Sequence, residues 1–188
     1  LRMKPTKQLH QSIIEACKNN DAKAQMQLYN LYCNAMFLTA KRYVKDTVLA
    51  EDVMQDAFVK AFKNLSKYKG DVAFGAWLKR IVINQSIDEL KKKKLQLVEI
   101  NEELTTIVDE DDNWCVDDGI SAEKVVEVIM QLKEKYRIVL SLYLLEGYDH
   151  SEISEILHIA ETTSRTHLLR GKKLVQQQLK TMRYAEGY

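Results

Sequence analysis

The feature that most constrains this chain is a gap in its positive charge. Residues 95 to 123 carry ten Asp and Glu and not one Lys or Arg. Residues 1 to 94 carry eighteen Lys and Arg against nine Asp and Glu, and residues 124 to 188 carry ten against eight. The formal net charge of +1 hides this segregation. A run of like charges resists burial, because unpaired carboxylates are costly away from water. The chain therefore reads as two modules joined by an acidic linker. Six glycines and one proline (Pro5) in 188 residues leave little to interrupt helices. The expected fold is all-α: two small helical domains, at 8–94 and 121–183, with the linker at 95–120.

Within 8–94, apolar residues recur at helical spacing. Leu28, Leu31, Tyr32, Ala35, Met36 and Leu38 form a broad apolar face, and "NNDAKA" at 19–24 offers an Asn/Asp cap for a second helix. Asp46 and Thr47 open the next, "AEDVMQDAFVKAFKNL" at 50–65. Its stripe runs through Val53, Met54, Ala57, Phe58, Ala61, Phe62 and Leu65. Glu51, Asp52 and Asp56 near its start, with Lys60 and Lys63 near its end, complement the helix dipole. A core helix with a solvated outer face accounts for this pattern by itself.

"SKYKGDVAFGAW" at 66–77 contains Gly70 and Gly75 and reads as an aromatic-rich loop. Helical spacing resumes through Trp77, Leu78, Ile81, Val82 and Ile87, with Lys79, Arg80 and Lys91 to Lys94 adding charge. A basic helix behind an aromatic loop suits single-stranded nucleic acid, whose phosphates attract cations and whose unpaired bases stack on flat rings. A buried Trp77 and Phe74 beside a solvated lysine run explains the same residues. In the linker, "DEDDNWCVDDGI" has alternating calcium-loop carboxylates, but Trp114 stands at the glycine bend and Ile120 at the bidentate glutamate. No metal or cofactor is expected.

From Ser121 a helical run passes through Val125, Val128, Ile129, Leu132, Ile138, Val139 and Leu142 until Gly147 stops it. Asp149 and Glu152 form a capping box for the next helix, with Tyr148 and Ile153 as its hydrophobic staple. Ile153, Ile156 and Leu157, then Ile159 and Leu168, face inward on two helices meeting at His158. The second is predicted over 162–179, with Arg165, Thr166, Leu169, Arg170 and Lys173 outward. A supporting helix, a tight turn and a helix with a basic outer face are the parts of a DNA-reading helix-turn-helix.

Taken together, "AEDVMQDAFVKAFKNLSKYKGDVAFGAWLKRIVINQSIDELKKKK" resembles region 2 of sigma-70 family transcription initiation factors, and "GYDHSEISEILHIAETTSRTHLLRGKKL" resembles their region 4. With no room for a region 3 domain, the order and spacing are similar to the extracytoplasmic-function subgroup, over roughly residues 8 to 180. The resemblance implies a factor that binds core RNA polymerase and directs promoter recognition and strand opening. It implies core polymerase binding by Asp52, Gln55, Asp56 and Phe58, and minus-ten DNA binding by Tyr68, Phe74, Lys79, Arg80 and Asn84. Tyr68 and Phe74 would capture a flipped base. Arg165, Thr166, Leu169, Arg170 and Lys173 would read the minus-thirty-five element as duplex. The implied partners are core RNA polymerase, promoter DNA as duplex and melted strand, and an anti-sigma factor.

A linker of about 25 residues reaches roughly 80 Å when extended, enough for promoter elements about two helical turns, roughly 70 Å, apart. Its acidity would repel DNA phosphate; the resemblance implies instead a path through polymerase channels whose positive walls would hold a polyanion. The chain departs from the family pattern at His158, where glycine is usual, and at Ala160, where a capping Ser is usual. Ser164, His167 and Gly171 also replace residues that are commonly apolar, basic and small-apolar.

A helix-turn-helix repressor or activator that does not bind core polymerase is the alternative, but it leaves the "EDVMQDAF" face and the "YKGDVAF" loop without a task. An enzyme is not expected: there is no Ser-His-Asp order, no Gly-rich phosphate loop and no paired His ligands. The polar start "LRMKPTKQLH", the absence of a long apolar run and three unpaired-looking cysteines point to a cytoplasmic protein with no membrane insertion.

Overall fold

The computed structural model describes residues 9–96 and 120–185. They fall into two compact units, one within 1–99 and one within 100–188. The described residues form helices and turns, with no strand among them. Nearly all of the predicted linker, including Asp109 to Asp112 and the calcium-like stretch, lies outside the described residues.

The first unit comprises α1 (Gln11–Lys18), α2 (Ala22–Val44), α3 (Thr47–Lys63) and α4 (Phe74–Gln96). The predicted caps are in place. The Asp21 carboxylate accepts from the Lys23 and Ala24 amides at 2.8 and 3.1 Å, opening α2. Asp46 accepts from the Leu49 amide at 3.0 Å, opening α3. The long helices bury Leu28, Met36, Ala40 and Tyr43 from α2, Val53, Ala57 and Ala61 from α3, and Leu78, Val82, Ile83 and Ile87 from α4. The alanines let the helices approach closely. Each fully buried large aliphatic side chain contributes about 1.5–3 kcal/mol.

The second unit comprises α5 (Ala122–Gln131), α6 (Glu134–Leu140), α7 (His150–Leu157) and α8 (Glu161–Ala185). The single run predicted from Ser121 to Gly147 is thus two helices. Leu132 turns extended, with ψ 161°, while its side chain stays buried. No proline or glycine marks this break: it is made by turning the apolar faces of α5 and α6 to one core. After Leu140 the helix widens into a π turn at Ser141–Leu145, where the Glu146 amide reaches back five residues to the Ser141 carbonyl. Gly147, at φ 78°, ends it.

Two glycines mark close approaches. Gly75, expected in the loop, is the second residue of α4; a Cβ there would lie 3.0 Å from Tyr32 Cε1. Gly171, inside α8, is buried against α6, and a Cβ there would meet Leu140 Cδ1 at 2.7 Å.

Candidate functional site

The first candidate surface is the outer face of α3. Asp52, Gln55 and Asp56 are exposed there, and the Gln55 amide donates to Glu51 at 3.5 Å. Phe58 does not share that face. It is 3 % exposed, packed against Tyr29 with ring centroids 4.8 Å apart and against Phe62 at 6.0 Å. Its place in the apolar stripe of α3 turns it to the core, where it supports the face from beneath and cannot meet a partner directly.

The second candidate surface is the 68–73 loop with the start of α4. Tyr68 and Phe74, expected to line an open base pocket, are 4 % and 2 % exposed. Their rings meet edge to face at 5.6 Å, and the Tyr68 hydroxyl donates to the Val72 carbonyl at 2.7 Å, closing the loop on itself. Aromatic edges prefer aromatic faces to water, so the loop folds its rings inward. Direct capture of a base by Tyr68 and Phe74 does not fit this packing. Two half-buried rings complete the cluster: Trp77, 5.2 Å from Tyr68 and 5.6 Å from Phe74, and Tyr32 of α2, 5.3 Å from Phe74. Burial raises the Tyr32 pKa, which keeps its hydroxyl protonated. Trp77 and Tyr32 are the members a ligand could reach, and sequence reasoning missed them as site residues. The signal was available in part: Trp77 stands one helical turn past Phe74, and Gly75 leaves room for a ring. Arg80, exposed, and Asn84, partly exposed, stand four apart on α4, with Lys79 partly exposed beside them.

The third candidate surface is the helix-turn-helix of α7 and α8. The Asp149 carboxylate accepts from the Glu152 amide at 2.8 Å, and the Glu152 carboxylate accepts from the Asp149 amide at 3.1 Å, completing the predicted capping box. His158 adopts the left-handed conformation, φ 56° and ψ 47°, that glycine would take without strain. The Ser154 hydroxyl donates to the Ile159 carbonyl at 2.6 Å across the turn. On α8, Ser164, Leu168, Gly171, Val175 and Leu179 form the buried face. Arg165 and Lys173 are exposed, and Thr166, Leu169 and Arg170 are partly exposed. Glu161 pairs with Arg165 at 3.5 Å along the helix surface. Ser164 is fully buried despite its hydroxyl, which lies 2.8 Å from Nδ1 of His150.

Among the described residues these features define a class: a two-unit helical protein whose second unit carries a helix-turn-helix, an arrangement common in DNA-binding proteins. The model of sigma-70 region 2 matches residues 28–96, and that of sigma-70 region 4 matches residues 122–175. The chain is 29 % identical over 184 residues to the ECF RNA polymerase sigma factor SigW of Bacillus subtilis, covering 90 % of this chain and 96 % of that one. It is 27 % identical over 189 residues to the RNA polymerase sigma-H factor of Pseudomonas aeruginosa, covering 94 % and 97 %. The fold is similar to that of the sigma factor RpoE in its co-crystal structure with the anti-sigma factor NepR from Bartonella quintana, with a TM-score of 0.51, 19 % identity, and coverage of 82 % and 96 %. The chain belongs to the sigma-70 family of RNA polymerase sigma factors, in the extracytoplasmic-function subgroup.

Proposed function

We infer that this protein is a transcription initiation factor: it binds core RNA polymerase and directs promoter recognition and strand opening. The observation that carries this reading is the order of the two sigma-70 regions, one on each helical unit. The factor carries no reaction of its own; nucleotide addition belongs to the polymerase. It works in the cytoplasm, and among the described residues no helix is long and apolar enough to cross a membrane.

In this reading residues 8–94 form region 2, 95–120 the acidic linker and 121–183 region 4. The exposed carboxylates and amide of Asp52, Gln55 and Asp56 dock on core polymerase, over a base that Phe58 stiffens. At minus ten, Trp77 and Tyr32 offer ring faces, Tyr68 and Phe74 hold those rings in place, and Lys79, Arg80 and Asn84 take the displaced strand. Base stacking on an aromatic ring is worth about 1–3 kcal/mol, enough to offset much of the few kcal/mol that unstacking one base costs. Arg165, Thr166, Leu169, Arg170 and Lys173 read the minus-thirty-five duplex. An anti-sigma factor is the expected restraint.

The test is transcription from a promoter library by purified core polymerase, with and without this protein, beside a Gln55→Ala/Asp56→Ala variant. Start sites that need the intact protein, and are lost or weakened with the variant, support the reading and deliver the promoter. Neither core binding nor transcripts would leave a helix-turn-helix regulator that does not use core polymerase.

A further inference from the structure

His150 and Ser164 are fourteen residues apart, yet they meet inside the helix-turn-helix. His150 is the first residue of α7, and Ser164 is the fourth residue of α8. Nδ1 of His150 lies 2.8 Å from the Ser164 hydroxyl oxygen. One face of the imidazole stacks on Tyr143, from the π turn after α6, at 4.9 Å and 28° between the planes. Lys172 of α8 lies over that tyrosine, 6.0 Å from the ring centre. Ser164 is fully buried between exposed Arg165 and the core, at a position where an apolar side chain would be the simpler choice. A buried hydroxyl without a partner is destabilising, and the imidazole nitrogen supplies that partner.

We propose that His150 and Ser164 are a positioning pair, in which Nδ1 of the uncharged imidazole accepts a hydrogen bond from the serine hydroxyl and ties the first turn of α8 to the start of α7, so setting how Arg165 and Thr166 meet duplex DNA. The inference rests on the reading of α8 as the duplex-reading helix.

Charge around the ring fits an uncharged imidazole. His150 occupies the first turn of α7, the positive end of its dipole, where a cation is unfavourable. Burial, and then Arg165, lower its pKa from the ordinary value; Lys172 adds to this, while Glu161 and Asp149 oppose it. A proton added at Nδ1 reverses the bond. The ring would then donate to the Ser164 oxygen, and the serine proton would have to turn elsewhere. The acceptor one turn back is the Ala160 carbonyl, which accepts the Ser164 amide at 3.1 Å and would have to take the hydroxyl on its second lone pair, a bond within α8 that no longer ties it to α7. Acid thus exchanges a neutral bond for a cation held beside Arg165 and Lys172, and the first turn of α8 loosens.

The experiment uses the full chain, as parent and as His150→Phe/Ser164→Val, which replaces both polar partners together. NMR follows the His150 ring and the amides of Thr162 to Arg165 between pH 8 and pH 5.5. In parallel, the factor assembled with core polymerase is titrated with a duplex carrying the minus-thirty-five element of a promoter recovered from the library. In the parent, the Ser164 amide should shift with the same midpoint as the His150 ring, and affinity should fall with acid by no more than about tenfold per pH unit, the limit for one proton. In the double variant the amide titration and the affinity slope tied to it should vanish. A Ser164 amide that ignores the His150 midpoint would overturn the pair, as would a double variant with the parent's pH profile. Absence of duplex binding at every pH would count against the sigma reading, while the NMR titration would still decide the pair.

Discussion

Gly171→Ala tests how tightly the duplex-reading helix is seated. In an exposed helix this change would stabilise by about 0.8–1.0 kcal/mol through helix propensity. Here the new Cβ would lie 2.7 Å from Leu140 Cδ1, 3.0 Å from Leu140 Cγ and 3.4 Å from Tyr136 Cβ. Carbon atoms pack best at about 3.5–4.0 Å, so Leu140 or α8 must yield by roughly 1 Å. Rotating a terminal methyl is not enough, because Cγ is also too close, and Leu140 is fully buried and cannot swing into solvent. Overpacking of this kind costs about 1–3 kcal/mol, and the upper part of that range applies. After the propensity gain, the second unit should lose about 1–2 kcal/mol. Hydrogen exchange at the most protected amides of α6 and α8 should register the loss, with a fall of several degrees in that unit's melting temperature. The double variant Gly171→Ala/Leu140→Ala should show a favourable coupling of about 1 kcal/mol, because removing Leu140 makes the room the methyl needs. A Gly171→Ala protein as stable as the parent, or more so, would refute the claim that the α6–α8 seat has no slack.

Four further outcomes follow from local geometry. Asp149→Ala removes one half of the capping box and should cost about 1 kcal/mol, read as faster amide exchange in α7. His158→Gly relieves a left-handed residue, a strain of about 1–2 kcal/mol, against about 0.5–1 kcal/mol of added unfolded-chain entropy; urea unfolding should show a gain of up to about 1.5 kcal/mol. Tyr68→Phe deletes the 2.7 Å bond to the Val72 carbonyl and should cost about 1 kcal/mol, with exchange rising across residues 68–73. The lowered pKa of His150 makes the unfolded chain bind the proton more readily than the folded one. Its contribution is therefore complete above the ordinary value of 6.5 and is lost as pH falls through the lower folded value. Denaturation of the second unit between pH 8 and pH 5 should show this loss, and His150→Phe should remove it.

The caps at Asp21, Asp46 and Asp149 and the turn at His158 were legible in the sequence, because each is an interaction within about four residues. The separation into two units was written in the charge gap. The outward set on α8 was likewise readable, since helical periodicity alone distinguishes Arg165 and Lys173 from Leu168 and Val175. Composition and spacing could not decide which aromatic rings face solvent. Phe58, Tyr68 and Phe74 belong to the core because other helices and their own loop cover them, leaving Trp77 and Tyr32 as the accessible rings. The break at Leu132, the seat at Gly171 and the meeting of His150 with Ser164 have the same origin. Sequence alone determined most of the helices, the caps at Asp21, Asp46 and Asp149 and the two-unit plan, which arise from neighbours along the chain. Tertiary structure decided burial and long-range partners, because these depend on which surfaces the helices press together.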